Sequence, residues 1–410
     1  MGSFASTSST PVPANVLPCR PDSISFSASE EPIFSDPATE KAINEAAGLI
    51  KDHDVVVFPT ETVYGLGADA LHATASARIF STKGRPADNP LIVHVSSQTM
   101  LSTLLPSTPA SSYTPSPAYA ALMRAFWPGP LTMLFPAPSH IPSVITAGQS
   151  TVAVRMPSHP VARALIARAN TPVAAPSANT SGRPSPTRAS HVAADLGASG
   201  KLKLILEGGA CDVGLESTVI DGLREDGNIR VLRPGGVTVE DIESVLSENG
   251  IDGVKVLVHR RDYADEQQEQ APQTPGMKYR HYAPGVPVQL VHRARPGQDD
   301  EDTVSAEAFL LSLEDGSEGK TKIGLMACDD SPLLVLTSSS PSIEWVHFPL
   351  GPTSEPGTAA ARLFDGLHTL DAQDVSKIVA EALVEEKEGL AFMNRIGKAA
   401  GTGGRIWLRL

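Results

Sequence analysis

The chain has 410 residues, 41% of them hydrophobic and 19% charged, with a formal net charge of −13. That length exceeds one ordinary core, so two domains are expected; the acidity excludes a surface that grips nucleic acid all over, while leaving room for a local basic cleft. Three well-separated cysteines (Cys19, Cys211, Cys328) without a Cys-x-x-Cys pair argue against a disulfide framework or a zinc site and favour a reducing, cytoplasmic setting, and no apolar run is long enough to span a membrane.

Residues 1–35 are rich in Ser, Pro and Ala and read as a disordered tail. Asp36-Pro37 reads as an N-cap with proline at the first helical position, and Ile43, Ala46, Ala47 and Ile50 give that helix one apolar face. Val55 to Phe58 is a buried strand stopped by Pro59, which lacks an N–H for a ladder. Thr60, Glu61, Thr62, Tyr64, Gly65 and Gly67 follow, the glycines reading as a turn. A helix capped by Thr74 ends at Lys83-Gly84-Arg85-Pro86. Leu91 to Val95 is a second strand and carries His94.

Residues 102–118 are Ser/Thr/Pro-rich and read as an exposed loop. A helix from Tyr119 to Phe126 meets the turn Trp127-Pro128-Gly129-Pro130, which feeds a strand from Leu131 to Phe135. The pattern then alternates. Strands are expected at 151–156, 172–175, 203–206, 217–220 and 229–232, with helices at 161–169 and after Thr238. Residues 251–285 read as a linker that is polar and then punctuated by Pro and Gly, with the cluster Lys278-Tyr279-Arg280-His281-Tyr282 too dense for a spacer. Beyond it, 286–410 reads as a second α/β unit, with strands at 286–291, 323–326, 333–336 and 345–348 and a helix over 358–370.

Gly65-x-Gly67-x-x-Ala70 is a poor dinucleotide fingerprint, because Pro-Thr-Glu-Thr separates the strand from the glycines and no acid-ended second strand follows. What remains is a set of polar clusters at strand ends: Thr60 with Thr62, Lys83 with Arg85, Thr132, Arg155, Ser177 with Asn179, Ser217 and Arg233. Each alone has a structural explanation, since a cation can complement a helix C-terminus and Ser or Asn can cap a turn. Together they suit one crevice for an anionic ligand, because strand-end loops of one sheet face the same side. No paired carboxylates and no His/Cys metal set are present, which fits phosphoryl or nucleotidyl transfer with Mg²⁺ held mainly by the substrate's phosphates.

Several of these segments carry a resemblance. Phe58-Pro59-Thr60-Glu61-Thr62-Val63-Tyr64-Gly65-Leu66-Gly67, Lys83-Gly84-Arg85-Pro86 with Asn89-Pro90-Leu91, Trp127 to Thr132, Val154-Arg155-Met156-Pro157, Pro176-Ser177-Ala178-Asn179, Glu216-Ser217-Thr218-Val219 and Leu232-Arg233-Pro234-Gly235 are similar, in order and spacing, to the YrdC family across residues 40–237. Thr274 to Pro284 and the unit after it resemble the longer, two-domain threonylcarbamoyl-AMP synthases. The resemblance implies a YrdC-like catalytic domain over 36–250, a twisted mixed α/β sheet with flanking helices around a positive cavity. The linker 251–285 would lie across that cavity, and a smaller Rossmann-like α/β domain would occupy 286–410.

It implies a nucleotidyltransferase that converts L-threonine, bicarbonate (or CO₂) and ATP into L-threonylcarbamoyladenylate and pyrophosphate. The product would pass to the tRNA threonylcarbamoyl transferase machinery for N6-threonylcarbamoyladenosine beside the anticodon. Lys83, Arg85, Ser177 and Asn179 match the family's catalytic tetrad. Thr60, His94, Arg155 and Ser217, with Ser177, fall where threonine is held, Arg155 opposite its carboxylate. Asn89, Thr132, Ser185 and Arg233 fall on the ATP side with Lys83, Arg85 and Asn179, and Arg280, His281 and Tyr282 fall where the linker crosses. The alternative is an RNA-binding module without adenylate-forming activity, against which the acidity and the 5% aromatic content weigh.

Overall fold

A computed structural model describes residues 13–86, 88–108, 111–265, 281–294, 303–314 and 320–409. Arg280, and the linker residues 266–280 with it, lie outside the described residues. Among those described, two large sheets form, with two two-stranded pairs beside them. The larger has eleven strands in the spatial order Asn15–Pro18, Leu204–Glu207, Val56–Phe58, Gly65–Asp69, Val173–Ala174, Ile92–His94, Thr151–Arg155, Leu131–Pro136, Thr218–Asp221, Ile229–Arg233 and Val256–Val258. It mixes parallel and antiparallel pairs. Helices Pro37–Lys51 and Pro160–Ala169 cover one face, packing Ile43, Ala46, Ile50 and Leu165 on Val56, Phe58, Val173 and Leu206. The other face carries Tyr64, Leu66, Val93, Leu131, Phe135 and Val154 under helices Ala73–Lys83, Pro117–Phe126 and Val239–Glu248.

The second sheet is parallel throughout. Its order is Val304–Ser305, Arg405–Arg409, Val288–Arg293, Lys377–Glu381, Thr321–Ala327, Ile343–Pro349. Helices Pro356–Asp371 and Glu388–Ala400 lie on the side toward the first sheet. One apolar cluster joins their Leu363, Phe364 and Phe392 with Tyr282 and with Val63 and Leu215 of the larger sheet's unit. No helix among the described residues is long and apolar enough to cross a membrane.

Several expectations are corrected. From residue 13, the supposed tail is folded. Asn15–Pro18 pairs in parallel with Leu204–Glu207, and a hairpin of Ile24–Phe26 with Pro32–Phe34 follows. Its few apolar groups find specific cover, Cys19 and Ile24 inside the core and Phe26 and Phe34 beneath the guanidinium groups of Arg163 and Arg168. The cap of Ala73–Lys83 is His72, whose Nδ1 accepts from Ala75 N, and not Thr74. Gly65 and Gly67 lie in a strand hydrogen-bonded to Val56–Phe58 and not in a turn. A Cβ on Gly67 would sit 2.5 Å from the Phe58 ring, so glycine is there for close packing. The 102–118 loop contains a two-residue strand pair, 107–108 with 111–112, and its end is the start of helix Pro117–Phe126, capped by Ser116. The assumed linker begins too early, since Val256–Val258 pairs with Ile229–Val231 in the large sheet. Leu333–Leu336 lies in a 3₁₀ helix, Pro332–Ser338, where Ser331 accepts from Leu333 N and the leading proline cannot serve a ladder.

Candidate active site

The sheet builds the floor of the site by register. His94 pairs with Arg155, Arg155 with Thr132, Thr132 with Val219 and Val219 with Arg233. Residues directly opposite one another on neighbouring strands point to the same face. One row of the sheet therefore puts an imidazole, two guanidinium groups and a hydroxyl side by side at the strand ends, all buried.

Three loops close over this row. The hairpin loop after Phe58 carries Thr60, Glu61 and Thr62. Thr60 Oγ1 donates to the Val63 carbonyl at 2.7 Å and meets Thr62 Oγ1 at 2.8 Å, which shapes the loop from inside. Helix Ala73–Lys83 ends inside the protein. Gly84, at φ +61, turns the chain so that Arg85 N returns to the Phe80 carbonyl. The Lys83 ammonium, on the last turn where the helix dipole favours a cation, donates to the carbonyls of Ser177 and Asn179. Arg85 Nη2 donates to the Pro90 carbonyl at 3.2 Å, with the Asn89 carbonyl at 3.5 Å. The loop after Val173–Ala174 is held open by Asn179, whose Nδ2 donates to the Thr180 and Arg183 carbonyls at 2.8 and 3.0 Å.

The result is a cavity of about 530 Å³ when the open space at its mouth is included. Thr60, Arg85, His94, Arg155, Ser177, Ser217, Arg233, His281 and Tyr282 all line it. The remaining expected residues stand behind that lining. Lys83 and Asn179 contact its wall through the loop at Ser177, and Thr132 lies 2.7 Å from Ser217 Oγ. Ser185 Oγ donates to Glu216 Oε1 at 2.8 Å. Asn89 sits outside, touching Arg85 only through its carbonyl.

Two carboxylates were missed in the sequence, although both lie inside quoted segments. Glu61 Oε1 lies 2.6 Å from Arg155 Nη2, and Arg155 also donates to Thr62 Oγ1 at 2.8 Å. Glu216 lines the cavity and meets Arg395 of the second unit at 3.1 Å. Arg395 carried no local signal at all; it belongs to an unremarkable helix and matters only because that helix docks here.

The charge balance favours an anion. Among the described residues, the buried cations Lys83, Arg85, Arg155, Arg233 and Arg395 outnumber the two carboxylates at the cavity, Glu61 and Glu216. Burial, reinforced by Arg85, pushes the Lys83 ammonium well below its ordinary range. Burial lowers Arg85 and Arg233 to about 10, so both stay charged at neutral pH. His94 is driven down to about 3 by burial and then by Arg155, which leaves a neutral imidazole. Arg85 Nε, His94 Nδ1 and Asn179 Oδ1 are buried without a hydrogen-bond partner among the described residues. Buried polar atoms rarely stay unpaired, so these three are open to a ligand's hydrogen bonds.

Comparison with known proteins gives the chain's relatives. Residues 48–235 match the Sua5/YciO/YrdC family, described as "Telomere recombination". Residues 237–401 match "Threonylcarbamoyl-AMP synthase, C-terminal domain". The threonylcarbamoyl-AMP synthase of Schizosaccharomyces pombe is 44% identical over 88% of this chain and 89% of its own length. That of Bacillus subtilis is 39% identical over 89% of this chain and 94% of its own. The crystal structure of P. abyssi Sua5 complexed with L-threonine superposes with a TM-score of 0.73 at 37% identity, covering 97% of this chain and 100% of that one.

Proposed function

The chain belongs to the threonylcarbamoyl-AMP synthase family, and from that premise we propose that its cavity joins L-threonine, bicarbonate (or CO₂) and ATP into L-threonylcarbamoyladenylate, releasing pyrophosphate. It is a nucleotidyltransferase. The observation that carries the reading is the buried polar row His94, Arg155, Thr132 and Arg233 beneath the loops of Lys83, Arg85, Ser177 and Asn179. Such a site suits a substrate with several phosphates and a carboxylate.

The chemistry asks mainly for placement. The threonine amine adds to CO₂ and loses a proton, giving a carbamate. A carbamate oxygen then attacks the α-phosphorus in line. The bond to the bridging oxygen breaks, and pyrophosphate leaves with that electron pair. Lys83 and Arg85 hold phosphates and spread the developing charge, while Ser177 and Asn179 fix the reacting centre. Thr60, His94, Arg155 and Ser217 hold threonine. For Arg155 to receive the carboxylate, it must share its guanidinium with Glu61, its partner in the described state. Thr132, Ser185, Arg233, His281 and Tyr282 form the nucleotide side, and Asn89, outside the cavity, bears on it through Arg85. Mg²⁺ would be held mainly by ATP's own phosphates and would offset their charge, since Glu61 and Glu216 are both engaged by arginines. The adenylate then goes to the tRNA-modifying transferase. The three free, buried cysteines fit a reducing cytoplasm.

One assay tests the reading: pyrophosphate release from ATP with threonine, bicarbonate and RNA omitted in turn. Release should need threonine and bicarbonate but not RNA, and Lys83→Ala should lower it by roughly 10²-fold or more. Release that depends on RNA, or survives without threonine, overturns it in favour of an RNA-binding module.

A further inference from the structure

Helix Glu388–Ala400 belongs to the second unit, yet one of its side chains ends in the wall of the first unit's cavity. Arg395 is 0% exposed. Its Nε donates to Glu216 Oε2 at 3.1 Å and its Nη1 donates to the Pro234 carbonyl. Glu216 directly precedes Ser217, and Pro234 directly follows Arg233. The other Glu216 oxygen accepts from Ser185. A single guanidinium therefore ties together three wall segments, at 185, 216–217 and 233–234. Arg233 in turn donates to the Ser217 carbonyl at 2.9 Å and to its hydroxyl at 3.2 Å, so orienting Glu216 orients both.

Docking of the two units does not require this arginine. Val63 and Leu215 already pack with Leu363 and Phe364. Arg183 pairs with Asp371 and Arg188 with Asp365 at the rim. An ion pair taken wholly out of water is seldom a net gain over apolar packing. Its presence here calls for a reason other than adhesion.

We propose that Arg395 is a positioning residue for the adenylate-forming step: it fixes Glu216, and through Glu216 it sets Ser217 on the threonine side and Arg233 and the linker's Tyr282 on the nucleotide side. The second unit thus supplies part of the active-site wall. This inference rests on the adenylate-forming reading above.

The electrostatics follow the geometry. Burial would raise the Glu216 carboxyl, but Arg395 and then Arg233 outweigh it and hold it at about 2. The groups facing Glu216 are Arg395 and Lys398 from the second unit's helix, Arg233 from the sheet, Lys83 from its helix end, Ser185, and His281 with Tyr282 from the linker. With Arg395 gone, a buried carboxylate loses its strongest counter-charge and takes a proton at higher pH.

The test uses the full chain with Arg395→Met, Arg395→Lys, Glu216→Gln and the Arg395→Met/Glu216→Gln pair. Pyrophosphate release and ATP affinity are followed from about pH 5 to about pH 9. Arg395→Met should lower kcat roughly tenfold or more and bring into that range an acid limb that the wild type, with Glu216 at about 2, lacks there. Glu216→Gln in that background should abolish that limb, and Arg395→Lys should restore part of kcat. A purely structural role would reduce the yield of folded protein without moving the pH profile. Folded Arg395→Met with the wild-type kcat and profile overturns the proposal, as does a double variant that keeps the limb. Should Arg395→Met not fold, Arg395→Lys decides: its kcat and acid limb must lie between the extremes, and a wild-type profile overturns the proposal. A wild-type chain without threonine-dependent release refutes the functional reading instead; the coupling is then judged on ATP affinity, and pH-independent affinity in Arg395→Met overturns it.

Discussion

In the proposed reading, Lys83 is the side chain prepared for a polyphosphate. Its ammonium is buried, and burial together with Arg85 drives its proton affinity down. Phosphate oxygens brought against it reverse that effect, because an opposite charge at close range favours the protonated form. The free state thus has the lower pKa and the ATP-bound state the higher. Between those two values ATP binding takes up a proton, and affinity falls as pH rises. Calorimetry in buffers of different ionisation enthalpy should show net uptake by the wild type and loss of the Lys83 share in Lys83→Met. Identical uptake in both would refute this role. The lysine was legible in the sequence because it ends a helix at Lys83-Gly84-Arg85-Pro86, a local signal. Glu216 was visible but unassigned, since a lone carboxylate beside a serine reveals nothing about the arginine it will meet. Arg395 was invisible for the same physical reason: its partner lies 179 residues away, and no local pattern encodes that distance.

At the scale of elements, apolar strands and capped helices were readable because their signals are local and periodic. Features imposed by neighbours were not. Residues 333–336 have strand composition, but Pro332 and the Ser331 cap commit them to a 3₁₀ helix. The Gly65–Asp69 strand reads as a turn until its partner is known. Its two glycines then separate. A Cβ on Gly67 would meet Phe58 Cε1 at 2.5 Å and Val173 Cγ1 at 2.7 Å, whereas on Gly65 its nearest neighbour is Ala175 Cβ at 3.3 Å. Overpacking of a close core costs about 1–3 kcal/mol. Gly67→Ala should therefore lower the urea midpoint clearly more than Gly65→Ala, at unchanged m-value. Equal midpoints would show that the Phe58 ring yields freely and that close packing does not explain the glycine.

At the scale of the molecule, two domains were expected from length, but not how closely they are joined. Gly214, at φ +64, comes so near the second unit that a Cβ would lie 2.1 Å from the Ala361 carbonyl oxygen. Around that contact, Arg188 Nε donates to Asp365 Oδ1 at 2.9 Å, His191 Nε2 lies 3.4 Å from the same oxygen, and His368 Nε2 lies 3.2 Å from the Ser185 carbonyl. The His191 and Arg188 hydrogen bonds hold the Asp365 carboxyl far below the usual carboxylate range. A carboxylate depressed in the folded state adds stability above its unfolded pKa of about 4 and loses it as pH falls toward the folded value. Asp365 is thus a rivet between the units that works at neutral pH and weakens in acid. Asp365→Asn keeps the shape and removes the charge, so it should lower the neutral-pH Tm by about 2–4 °C for each kcal/mol lost. The difference from wild type should shrink steadily below about pH 4. A deficit that is constant across that range would assign the loss to packing, and the rivet would be wrong.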